Sequence, residues 1–160
     1  MAEALAVVAI ISSIVQLVDF TSKVVTRLDE LRSDTSDAQK SLGHLKAELP
    51  VLVRALQLIE EAINSGLFPK GCATALVPVV QGCEESIREI NSILAKTLLK
   101  QSDGRTKKVF KSIGSVWNDG KIESIAKALR DYTGTLTFYF AASSSTLQPL
   151  TVKTAVEMEV

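Results

Sequence analysis

A chain of 160 residues suits one domain, and a compact fold of that size buries roughly 70% of its unfolded surface without disulfide or metal staples. Its 18 basic and 18 acidic residues cancel, which excludes a global electrostatic pull toward nucleic acid or anionic membrane and leaves any such claim to local clusters. Cys72 and Cys83 are the only cysteines, and their spacing matches neither a disulfide framework nor a zinc knuckle, so both read as small core residues in a reducing cytoplasm.

The run from Ala4 to Val18 contains no charged residue. Beyond it, Leu17, Val18, Val24, Val25, Leu28 and Leu31 keep a helical stripe while Asp19, Lys23, Arg27 and Asp29 take other faces, so one long first helix is expected. Its second half is amphipathic. Its first half is apolar nearly all round, which a helix tolerates when it is central in a core or meets lipid. Met-Ala-Glu supplies no basic segment for a signal peptide, and the uncharged run falls short of the roughly 20 residues that cross a bilayer. It is long enough to insert partway.

From Ser36 to Asn64, Leu42, Leu45, Leu49, Leu52, Leu56, Ile59 and Ile63 alternate by three and four, the seam of a helix bundle, with a kink or brief interruption expected at Pro50. Gly66, Pro69 and Gly71 mark a turn. Leu76, Val80, Cys83, Ile87, Ile90 and Leu94 repeat the alternation, and Pro78 reads as part of the first turn of that third helix. A fourth region begins with Val109, Phe110, Ile113, Val116 and Trp117, pauses at Asn118-Asp119-Gly120, and resumes through Ile122, Ile125, Leu129, Tyr132, Leu136 and Tyr139. Strand-favouring residues crowd Thr133 to Phe140, but the helical stripe through them decides for helix. The expected fold is therefore all-α, an antiparallel bundle of four main helices, the second kinked and the fourth broken. Residues 1–147 form the domain, and 148–160 read as a tail or linker.

Chemistry is sparse. His44 is alone on the polar side of the second helix and reads as solvent-facing. Gly114 to Lys121 imitates a phosphate loop, but it has five residues between its glycines, Ile122 in place of Ser or Thr, and no preceding strand. No catalytic, cofactor-binding or metal-binding residue is assigned, and the chain reads as non-enzymatic. The most polarised stretch sets Lys96, Lys100, Arg105, Lys107, Lys108 and Lys111 against Asp103 alone. It is either a solvated connection or a contact for anionic lipid, where each basic side chain is worth about 1 kcal/mol. Nucleic acid is not an expected partner, because no reading motif is present and aromatic residues are few.

The opening MAEALAVVAIISSIVQLVDFTSKVVTRLDEL, and the later WNDGKIESIAKALRDYTGTLTFYF with Trp117, Lys121, Ile122, Leu129 and Leu136 at its pattern positions, resemble the amino-terminal domains of fungal NLR-like (STAND) proteins of the HeLo-like, SesA-like and NACHT-associated group. The resemblance spans about Met1 to Leu147. It implies a bundle of the HeLo and necroptosis kind, an effector that precedes a nucleotide-binding module and triggers programmed cell death in heterokaryon incompatibility or innate immunity. It also implies self-association, with an anionic membrane lipid and a downstream or in-trans NLR module as further partners. This chain shows no nucleotide-binding motif, and Thr151 to Val160 does not read as an amyloid motif.

Two readings of the first helix stay open. In one, a cytoplasmic, latent bundle packs the face bearing Leu5, Val8, Ile11 and Val15 internally or against another copy, and oligomerisation releases it to the plasma membrane. Leu5, Val8, Ile11, Ile14, Val15 and Val18 are then the membrane-active residues, and Lys100, Arg105, Lys107, Lys108 and Lys111 hold anionic lipid. In the other, the helix is a central bundle element and the domain is an interaction module that recruits a separate executor.

Overall fold

The structure, a computed structural model, describes residues 2–31, 36–69, 71–102 and 120–145. They form four helices, α1 (Ala2–Glu30), α2 (Ser36–Asn64), α3 (Cys72–Ser102) and α4 (Lys121–Ser145). No strand occurs among the described residues, and the strand-favouring Thr133 to Phe140 lies inside α4. The first half of the expected fourth region, the 148–160 tail and most of the basic stretch lie outside the described residues.

Every apolar position of the α2 and α3 seams is buried, from Leu42 to Ile63 and from Leu76 to Leu94. Leu17, Val24, Leu28 and Leu31 of α1 meet them, as do Ile122, Ile125, Leu129 and Leu136 of α4, making one contiguous core. Three buried threonines interrupt it. Thr21, Thr97 and Thr133 each donate their hydroxyl to the carbonyl four residues back, at 2.7, 2.8 and 2.8 Å, so no hydroxyl proton is stranded in the apolar interior.

Side-chain pairs set the helix directions. His44 meets Glu123 and Glu48 meets Arg130, at 2.7 and 2.8 Å, so α2 and α4 run parallel. Arg27 reaches Asn91 at 2.6 Å while Ala4 and Ala73 line one cleft, so α1 and α3 are also parallel. Asp29 pairs with Lys46 at 3.4 Å while Val7 lies across a cleft from Ile63, and Glu89 pairs with Lys121 at 2.7 Å, so α1/α2 and α3/α4 are antiparallel. The four lateral contacts are α1 with α2, α2 with α4, α4 with α3, and α3 with α1. Helices α2 and α3 occupy a diagonal. The antiparallel expectation thus describes helices successive in the chain, whereas two lateral faces are parallel because the α2–α3 connection crosses the bundle.

Gly66, at φ 70°, terminates α2 in a Schellman motif, with Leu67 N–H donating to Ala62 O and Gly66 N–H to Ile63 O, both at 3.1 Å. Gly71 and Gly120, at φ 89° and 70°, precede α3 and α4. Two proline expectations change. Helix α2 runs through Pro50 without interruption, and Pro50 lies on its exposed side, where the carbonyl that loses its donor can be hydrated. Pro78 lies inside α3 instead of in its first turn, because the left-handed Gly71 lets the helix begin at Cys72, where Cys72 N–H donates to Pro69 O at 3.1 Å.

Candidate functional site

Helix α1 divides lengthwise. Ile10, Ile14, Leu17, Thr21, Val24 and Leu28 follow the three-and-four alternation into the core, and Ile14 is fully buried. Leu5, Val8 and Val15 follow the same alternation on the outside and are 71%, 64% and 46% exposed. Ala9, Ser12, Ser13 and Gln16 share the outer surface. The first charges on it are Asp19 and Lys23, which pair with each other at 2.7 Å. By length and composition α1 is apolar enough to cross a membrane, yet only 22% of its apolar window is buried in the bundle. A soluble core helix of that composition would have most of it covered.

The face expected to pack as one unit is therefore split. Ile14 belongs to the core. Ile11 and Val18 are half-buried against it, while Leu5, Val8 and Val15 are open. The cause is position in the ring of helices, since α1 touches only α2 and α3 and its opposite side has no partner within the fold. At its start the outer surface continues into a cleft of about 480 Å³ lined by Ala4, Val7, Val8, Ile63, Phe68 and Ala73, with Thr74 as the sole side-chain hydroxyl.

Of the lipid-contact basic residues, Lys100 lies in the last turn of α3, and Arg105, Lys107, Lys108 and Lys111 lie outside the described residues. His44 is half-exposed as expected, but it has a partner, with Nδ1 2.7 Å from Glu123 Oε1 on α4. One turn along, Arg130 Nε donates to Glu48 Oε1 at 2.8 Å, and that hydrogen bond and charge hold the guanidinium pKa above its ordinary value. These two pairs tie the parallel α2 and α4 together. Sequence reasoning missed them, although His44 and Glu48 share one helix face at a four-residue spacing.

The described residues assemble no metal-ligating cluster. Cys83 is buried in the core, and desolvation pushes its thiol pKa up to about 12, which leaves it protonated and a poor nucleophile. A polar cleft of about 450 Å³ between α1 and α3 holds Ser13, Gln16, Glu84, Arg88, Asn91 and Ser92. Arg88 is already bound there to Glu84 at 2.7 Å, and no cysteine or histidine lines the cleft.

No curated protein matches this chain, and no solved structure matches it. A sequence-family model does. It covers residues 11–136, which takes in the inner stripe of α1, all of α2 and α3, and α4 through Leu136, while Leu5 and Val8 precede it. The description of that family, an N-terminal domain on NACHT NTPases and P-loop NTPases, agrees with an all-helical bundle whose first helix keeps an apolar outer face. The chain belongs to the SesA family.

Proposed function

We propose that this domain is a cell-death-inducing signalling module of fungal NLR-like proteins, cytoplasmic at rest, which oligomerises and then targets or permeabilises the plasma membrane through α1. The observation that carries the reading is the uncovered apolar stripe of Leu5, Val8 and Val15 on a helix that is otherwise built into the core. Burying one such side chain is worth about 1.5–3 kcal/mol, so three of them give α1 a favourable first contact with an apolar environment and require no unfolding. Deeper insertion has to withdraw Ile10, Ile14 and Leu17 from the bundle. At about 1.5–3 kcal/mol each, their release opposes insertion by a lone copy, and the cost falls when clustering supplies new partners.

Dye release from liposomes with and without anionic lipid tests this over a protein concentration series. Val8→Glu and Val15→Glu change exposed positions, so the bundle stays folded while the apolar stripe is broken. The reading expects leakage from the wild type that steepens with concentration and is lost in both variants. Equal leakage from folded variants would end it.

The embedding of Ile14 and Leu17 in the core favours a second reading, in which α1 stays in place and its outer face recruits a separate executor. That reading expects no leakage from well-folded protein.

A further inference from the structure

Gly82 and Gly134 both sit inside helices, where glycine is the poorest helix former after proline. Gly82 is accounted for within the bundle, because a Cβ there would run into the ring of Tyr132. Gly134 is not, since it is exposed and a Cβ built on it meets nothing within 4 Å. Its position suggests another role. It starts a line of small exposed residues on α4, Gly134, Thr137, Ala141 and Ser144, spaced by three, four and three. Thr137 lines a shallow cleft of about 360 Å³ with Pro50, Val51, Ala55 and Leu58. Leu58 and Ser144 also line the cleft of about 230 Å³ that follows, so one groove runs between α2 and α4.

The groove is nearly free of charge. Arg54 and Glu61 stand at its edge and lean toward each other at 3.6 Å. Its rims are apolar, with Val51 54% exposed on α2 and Phe138 69% exposed on α4. What would fill it is an uncharged helix ridge with the same spacing, and the chain has one. Leu5, Val8, Ser12 and Val15 on the outer face of α1 are also spaced by three, four and three. Ridge and groove floor are each about 15 Å long at 1.5 Å rise per residue.

We propose that the α1 ridge of one copy docks into the α2–α4 groove of a second copy. Leu5, Val8 and Val15 seat over the small residues of α4, and Gly134 admits the close approach of the incoming helix backbone. The contact is heterologous, because ridge and groove are different surfaces of one chain. Each added copy leaves one ridge and one groove free, so assembly proceeds to a ring or a filament. Ridge-to-ridge pairing would leave both the groove and Gly134 without a role. The inference deepens the self-association part of the function proposed above and needs none of its membrane step.

Sedimentation velocity without lipid tests it on the wild type, Val8→Glu and Gly134→Leu. Both substitutions lie at exposed positions, and Gly134→Leu raises helix propensity, so circular dichroism should show both variants folded. The mass of the wild type is expected to rise with concentration, and each variant to stay monomeric to concentrations about tenfold higher or more. An equimolar mixture of the two variants should form dimers and stop, since Val8→Glu retains the groove and Gly134→Leu retains the ridge. A wild type that stays monomeric, a Gly134→Leu protein that assembles like the wild type, or variants that remain apart when mixed would each overturn the docking mode. Leakage that depends on Val8 without lipid-free assembly would sink this proposal and leave the membrane reading standing. Assembly as described without leakage would do the reverse.

Discussion

The contact between Gly82 and Tyr132 permits a sharp test of the α3/α4 packing. A Cβ added at Gly82 would lie 2.9 Å from Cε1 of Tyr132 and closer still to Cζ and the hydroxyl oxygen, nearer than real Cβ atoms come. Two opposing terms follow for Gly82→Ala. Replacing an interior helix glycine with alanine gains about 1 kcal/mol. Displacing a half-buried ring from a packed site costs about 1–3 kcal/mol. The net expectation is a loss of about 1 kcal/mol, measured as a lower midpoint in urea unfolding with an unchanged slope. In a Tyr132→Ala background the obstacle is absent, and Gly82→Ala should instead stabilise by about 1 kcal/mol. The cycle of four proteins should therefore show a coupling of about 2 kcal/mol between the two positions. Additive effects, with Gly82→Ala stabilising both backgrounds equally, would refute the claim that the ring requires glycine on α3.

The two faces of α1 predict opposite sensitivities to truncation: Ile14→Ala should lose about 2–5 kcal/mol in denaturant unfolding, whereas Leu5→Ala should stay within about 0.5 kcal/mol. Gly66→Ala places a side chain at φ 70° in the α2 cap and should cost about 1 kcal/mol by the same assay, with no change in helix content. Thiol labelling at pH 8 should modify Cys72, which is half-buried, well before Cys83, whose pKa is about 12. Cys83 also carries a pH signature. Its folded pKa lies above that of the unfolded thiol, 9.0, so the folded state retains its proton longer, and stability should fall between pH 9 and 12 by up to about 1.4 kcal/mol per unit. Cys83→Ala should flatten that part of the profile relative to the wild type.

The seams of α2 and α3 were legible residue by residue, because charged and polar neighbours left only one apolar stripe at each turn. Helix α1 offered no such contrast. Between Ala4 and Val18 every face is apolar or small, so periodicity could not separate the inward Ile10, Ile14 and Leu17 from the outward Leu5, Val8 and Val15. That division depends on where α2 and α3 lie. The pairing of His44 with Glu123 and of Glu48 with Arg130 was hidden for a related reason. A charged residue on a helix face shows which way it points, and only the parallel arrangement of α2 and α4 shows what it meets. The start of α3 was placed too late because Cys72 to Thr74 lie upstream of the first strong apolar repeat, although Gly71 marked the boundary.

The diagonal placement of α2 and α3 brings the starts of α1 and α3 and the ends of α2 and α4 to one pole of the molecule. Phe140 and Ser144 stand beside Leu58 and Ser65 there, and Ile63 stands beside Val7 and Val8. Chain continuing past Ser145 therefore departs from the pole that carries the apolar start of α1, separated from it by the α2–α3 turn. In a family whose members precede NTPase modules, this geometry makes the tether a near neighbour of the sticky end. Rotating or withdrawing whatever hangs from that tether changes access to Leu5 and Val8 by steric shielding alone, with no rearrangement inside the bundle.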